Sequence, residues 1–135
     1  MDGNLLFEEA PYLKLIVKGR KSQLKRTVQL WFAYDDGRIY FLAHKNSQWW
    51  KNVSREPRVE VELFDVAFQG LGTLVPDKLS QIFGLFRRKY GADQVERWYG
   101  GRQRSERQPV EVAVGRVIGK RPGPARTIEP LTNIS

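Results

Sequence analysis

The chain has no cysteine among its 135 residues. That excludes disulfides, thiolate metal sites and a cysteine nucleophile. One histidine, His44, and one methionine leave too few ligands for an ordinary zinc or haem site within the chain. No apolar run approaches membrane-spanning length, and the start Met1-Asp2-Gly3-Asn4 lacks a basic leader region. The expectation is a soluble cytoplasmic protein. Acids are missing too, but only locally. Between Glu9 and Asp35 there are six basic residues and no carboxylate, and a second acid-free stretch runs from Arg38 to Arg55. The net charge of +8 predicts an anionic partner, with nucleic acid and a phosphorylated cofactor both open at this point.

What is present points to a folded β protein. Hydrophobic residues make up 41% of the chain and aromatics 12%, enough for a core and against a disordered tail. The length predicts one domain over 1–135, with an N-terminal segment 1–11 and an extended, proline-rich tail 119–135. Period-two patterning predicts six strands: Tyr12 to Lys18, Thr27 to Tyr34, Arg38 to Ala43, Arg58 to Leu63, Val66 to Val75 and Val110 to Val117. Asp35-Asp36-Gly37 supplies a hairpin turn. Gly70 and Gly72, two residues apart, mark a strand face that something approaches closely. Three short helices are expected. The first spans Ser47 to Ser54 with Ser47 as N-cap, the second is capped by Asp77 and ended by Gly91, and the third begins at Asp93 and ends after Tyr99. The segment Arg102 to Gln108 reads as a loop. Six antiparallel strands with two or three flanking helices predict a split or closed β-barrel.

Two cationic segments carry the chemistry. The run Gly19-Arg20-Lys21-Ser22-Gln23-Leu24-Lys25-Arg26-Thr27 lies between two strands. A tight turn there gathers Arg20, Lys21, Ser22, Arg26 and Thr27. Guanidinium forks, an ammonium, hydroxyls and turn amides are together what a phosphate monoester needs. The plain alternative is a solvated basic hairpin. The second segment, Ala43-His44-Lys45-Asn46-Ser47-Gln48-Trp49-Trp50, adds cations and two flat rings that could wall an aromatic ligand. One of the two tryptophans is expected to pack inward. A basic barrel with interleaved aromatics also suits single-stranded nucleic acid, although that function does not need its cations in one turn.

The Gly19-Arg20-Lys21-Ser22 turn, Arg26, the strand end His44-Lys45-Asn46 and Trp49-Trp50-Lys51-Asn52 before Pro57 recur in this order in a known superfamily. In these residues the chain resembles the split-barrel flavin and deazaflavin reductases, which include the pyridoxamine phosphate oxidase-like proteins and the deazaflavin-dependent nitroreductases. Gln29 and His44 depart from the usual pattern, which has a proline and a small residue near those points. The resemblance implies a six-stranded antiparallel split barrel. It implies a cofactor held by Arg20, Lys21, Ser22, Arg26 and Thr27, with Ala43, His44, Lys45, Asn46, Trp49 and Trp50 along its length. The cofactor is expected to be the deazaflavin coenzyme F(420), whose acidic tail suits the surplus of cations, with FMN as the alternative. The implied activity is hydride transfer to a small electron-poor acceptor such as a quinone, enone or nitro compound. His44 and Tyr99 are candidates for a proton or substrate contact, with Tyr90 beside them. A non-catalytic flavin carrier is the other reading. Such barrels pair as homodimers, and Trp31 and Phe68 are expected on faces that one barrel leaves uncovered.

Overall fold

The computed structural model describes residues 7–100 and 106–120. These form one seven-stranded antiparallel sheet: β1 (Leu13–Lys18), β2 (Lys25–Leu30), β3 (Ala33–Asp35), β4 (Arg38–His44), β5 (Arg58–Leu63), β6 (Val66–Leu74) and β7 (Arg107–Lys120). Their order across the sheet is β2-β1-β5-β6-β7-β4-β3. Only Trp31 and Phe32 separate β2 from β3 along the chain, yet these strands are the two edges of the sheet. A two-residue link cannot cross a flat sheet of this width, so the sheet curls until its edges face each other.

The expected strand Thr27 to Tyr34 is therefore two strands, and six becomes seven. The physical cause is at Phe32. Its backbone N–H donates to the Tyr90 hydroxyl at 3.1 Å, where a strand partner would otherwise be. That side-chain partner lets the chain leave one edge and join the other with no backbone donor stranded. β7 is longer than expected at both ends. Arg107 and Gln108 belong to it, paired with His44 and Ala43, and are not loop. Residues 101–105 and the tail 121–135 lie outside the described residues.

Three helices follow the expected plan with different caps. α1 spans Trp49–Arg55, α2 Leu79–Tyr90 and α3 Ala92–Tyr99, with a 3-10 turn at Pro76–Lys78 before α2. The residue at the N-cap of α1 is Gln48; the Ser47 hydroxyl donates instead to the His44 carbonyl at 2.6 Å. Asp77 sits inside the 3-10 turn and caps no helix with its side chain. Gly91 does end α2, at φ 91°, where a side chain would be strained.

Two cores hold the fold. Inside the curl, Leu13, Leu15, Val17, Leu30, Phe41, Val61, Val110 and Val112 pack with Trp49 and Val53 of α1. On the other side of β3 and β4, α2 and α3 pack Ile82, Phe83, Phe86, Val95 and Tyr99 against Ala33, Tyr40 and Leu42. Gly70 and Gly72 face inward. A Cβ on Gly72 would lie 2.4 Å from Cγ1 of Val53, so the bare backbone is what admits α1 to the barrel. Phe68, expected on an uncovered face, turns inward against the Phe7 ring at 5.3 Å. Trp31 is half-buried and stacks on Tyr90 at 4.4 Å. Phe68 is thus covered within the chain, and Trp31 only in part. Among the described residues no helix is long and apolar enough to cross a membrane.

Candidate functional site

The basic run closes as a hairpin of its own. Gly19 N–H donates to Leu24 O at 2.8 Å, and Gln23 N–H to Gly19 O at 2.9 Å, with Gln23 in the left-handed region at φ 63°. Ser22 Oγ accepts from Leu24 N–H at 3.2 Å. A Cβ on Gly19 would lie 2.6 Å from Ser22 Oγ and 3.5 Å from Arg26 Nε. The missing side chain thus lets the Ser22 hydroxyl, the Leu24 carbonyl and the Arg26 guanidinium close in over Gly19. Alternation along β2 then sorts the cations. Arg26 follows Val28 and Leu30 on the inner side of the sheet and emerges at the barrel rim, opposite Val17 in register. Lys25 and Thr27 point to the other face, where Lys25 pairs with Glu60 at 3.3 Å. The structure therefore brings Arg26 and Ser22 together over Gly19, leaves Lys21 exposed in the same turn and turns the Thr27 side chain to the other face of β2.

Arg20 is occupied differently. Its backbone N–H and its Nη1 both donate to Oδ1 of Asn52, at 3.1 and 2.8 Å, and its Nη2 donates to Gln48 Oε1 at 2.9 Å. Asn52 is buried in α1, at 4% exposure, so these bonds fasten the turn to the helix that the Gly72 approach positions. Gln48 gave no signal in the sequence as a site residue. Asn52 did, through its spacing from Trp49, but its partner could not be read from the chain.

The strand-end segment is internally saturated. Lys45 N–H donates to Glu106 O at 2.8 Å, Asn46 N–H to His44 Nδ1 at 3.1 Å, and Ser47 N–H to His44 O at 2.9 Å. The Trp50 indole donates to Lys45 O at 3.1 Å, and Gln48 Nε2 to Asn46 O at 3.4 Å. His44 Nε2 lies 3.3 Å from Glu106 Oε2. Since Nδ1 accepts, the neutral ring would donate from Nε2. Ala43 is fully buried, and its side chain faces the core. Trp49 is the inward tryptophan, edge-on to Phe41 at 5.5 Å, with its indole N–H buried and unpartnered. Trp50 stays half-exposed like His44, while Lys45, Asn46 and Gln48 are exposed. Glu106 was invisible in the sequence because its role is set by pairing across β4 and β7.

Both tyrosine candidates are corrected by the structure. Tyr99 is 1% exposed, edge-on to Phe86 and covered by the Arg107 guanidinium 4.4 Å from its ring centre. Tyr90 donates its hydroxyl hydrogen to Pro11 O at 2.6 Å and is held by the Phe32 backbone. Burial pushes both phenols well above their ordinary pKa. Tyr99 is a core group, and Tyr90 is a half-buried one whose hydroxyl is engaged by the backbone of Pro11 and Phe32.

A curled antiparallel barrel with a hydroxyl-and-cation cradle at its rim defines the split-barrel class of flavin and deazaflavin reductases. Comparison with solved structures agrees. The fold resembles an F(420) reductase with TM-score 0.70 and 20% identity, covering 87% of this chain and 97% of that one. It also resembles a FAD-binding protein from Mesorhizobium loti, with TM-score 0.68, 15% identity and 87% and 92% coverage. A Listeria innocua protein described as a pyridoxamine 5'-phosphate oxidase gives 0.66, 16%, 84% and 91%. No curated protein matches the chain. Residues 3–116 match the F(420)H(2)-dependent quinone reductase family, and the chain belongs to it. It is thus a deazaflavin-dependent oxidoreductase with F(420) as cofactor.

The residues present fit that cofactor. Its phosphate needs several donors whose charge is not already neutralised. Among the described residues no carboxylate pairs with Lys21, Arg26 or Lys45. The Ser22 hydroxyl and the Arg26 Nε converge over Gly19.

Proposed function

We propose that the chain reduces a small, flat, electron-poor acceptor, a quinone first and an enone or nitro compound by the same chemistry. The observation that carries this reading is the convergence of Ser22 and Arg26 over Gly19 in an acid-free turn that also bears exposed Lys21, with Lys45 on the hydrogen-bonded strand-end loop. Lys21, Ser22 and Arg26 would hold the cofactor phosphate, and Lys45 would reach along the cofactor from a loop that pays little entropy to stay in place. The chemistry a bound reduced deazaflavin supplies is hydride donation to the acceptor. Around it, the half-exposed Trp50 ring offers a wall, and its bond to Lys45 O fixes where that wall stands. His44 stands at the strand end with its Nε2 3.3 Å from Glu106 Oε2, where it could contact the acceptor. A cytoplasmic location belongs to the same reading.

A homodimer is also part of it. A groove of about 590 Å³ runs along the outer face of β1, β5, β6 and β7, with Ile16, Leu71 and Ala113 in its lining. Lys18, Lys25 and Arg58 line it beside Glu56 and Glu60, a mixed-charge face that a second copy could meet with opposite signs. Light scattering should give twice the 15.7 kDa chain mass.

The deciding experiment is anaerobic. Purified protein mixed with reduced F(420) and menadione should restore the oxidised deazaflavin's visible absorbance, and a nitroarene or enone in place of menadione ranks the acceptors. Tight F(420) binding with no turnover on any of the three would replace the enzyme with a carrier. Salt-sensitive oligonucleotide binding without F(420) binding would replace both with a nucleic-acid module.

A further inference from the structure

The site as described contains a cation that does not behave like the others. Arg20 heads the basic run and would be counted among the phosphate ligands by its place in the motif. Its donors are nevertheless directed at α1. Nη1 and Nη2 each end on a side-chain amide oxygen, those of Asn52 and Gln48, at 2.8 and 2.9 Å. The same Asn52 oxygen takes the Arg20 backbone N–H at 3.1 Å, so one buried acceptor fixes both the main chain and the side chain of this residue. Amide oxygens leave the guanidinium's charge in place, but they commit the geometry of its fork.

We infer that Arg20 braces the anion-binding turn and is not one of its ligands, with Asn52 and Gln48 as positioning residues that set where Lys21, Ser22 and Arg26 stand. This rests on the reading that the turn holds the cofactor phosphate. The structural chain is continuous. Gly72 admits Val53, Val53 seats α1 in the barrel, α1 carries Asn52, and Asn52 holds the residue next to Gly19. Gly19 in turn is bonded across to Leu24, two residues before Arg26. A short loop otherwise free to move would order its cations only on binding and would lose affinity by that entropy. The brace orders them beforehand.

Two independent measurements test this. In ligand-free protein, hydrogen exchange of the peptide spanning 18–26 should speed up in Asn52→Ala, Arg20→Gln and Arg20→Lys alike, because a lysine cannot span both amide oxygens. Unchanged exchange in the Arg20 variants would overturn the brace, whatever cofactor the protein takes. F(420) titration by fluorescence then separates brace from ligand. Both Arg20 variants should bind roughly tenfold more weakly, the loss of a charge-assisted hydrogen bond, and Arg20→Gln combined with Asn52→Ala should be no worse than the worse single change. Near-normal affinity in Arg20→Lys with a loss in Arg20→Gln, or additive losses in the double variant, would make Arg20 a phosphate ligand and sink the inference. Should Asn52→Ala fail to fold, Gln48→Ala tests the same brace from a solvent-facing position. If wild-type protein does not bind F(420), the proposed function fails while the exchange result still decides the brace.

Discussion

Two regions of this protein hold cations, and they use them in opposite ways. At the barrel rim Lys21 and Arg26 are exposed. Beneath α2 and α3, Lys89 and Arg107 are largely withdrawn from water. Arg107 donates to Leu42 O at 3.3 Å and Trp98 O at 2.9 Å with its plane over Tyr99, joining β4 to the end of α3. Lys89 lies 3.4 Å from the centre of the Phe32 ring and donates to Phe7 O at 3.3 Å. A cation is therefore no mark of a site by itself. What distinguishes the two regions is burial and partners: carbonyls and aromatic faces make a buried cation structural, and exposure leaves the other kind available.

The largest expected effect separates them on stability. Arg107→Ala strands two carbonyls and opens a void over Tyr99, costing on the order of 2–4 kcal/mol, read as a fall in thermal midpoint. Lys21→Ala and Arg26→Ala should leave that midpoint nearly unmoved. They should instead weaken F(420) binding by about 1.5–3 kcal/mol each. A large loss of stability in the rim variants would erase the contrast.

The next effect is a pH dependence confined to the buried region. Burial lowers the Lys89 ammonium to about 7, against an ordinary value of 10.5. The folded state then holds fewer protons than the unfolded one between those values. Stability must rise with pH across that window and be lower below it. The Phe32 ring and residual solvent contact reduce the gain to roughly 1–2 kcal/mol. Lys89→Met should flatten denaturant midpoints measured at neutral and alkaline pH; an unchanged slope would show that another group titrates.

The smallest effects sharpen the rim itself. Lys25→Ala gives up a surface ion pair with Glu60, and Thr27→Ala a hydroxyl on the same outward face. Both should change cofactor affinity by less than about 0.5 kcal/mol. Losses at Lys25 equal to those at Lys21 and Arg26 would mean a diffuse positive field in place of a shaped pocket.

Much of this was legible in the chain because it depends on neighbours. Alternation of apolar and polar residues marked the strands of the sheet, Asp36-Gly37 its hairpin, and Gly91 the end of α2, since each is decided within a few residues by pleat, turn or left-handed backbone. The basic turn and the Trp49-Trp50-Lys51-Asn52 spacing carried the family for the same reason. What escaped depended on distance along the chain. The break at Trp31-Phe32 needs the Tyr90 hydroxyl, 58 residues away, and the burial of Tyr99 needs Arg107 from β7. The choice of Trp49 over Trp50 as the inward ring needs Phe41 and the curl of the sheet.

Sequence alone thus determined the strand-rich class and the acid-free cations, because local pattern and charge survive any folding of the chain. Tertiary structure decided which of those cations are free to bind. A guanidinium's partners lie across the fold, and for Arg20 the nearest is Asn52, 32 residues on, brought to it by a helix seated over a glycine.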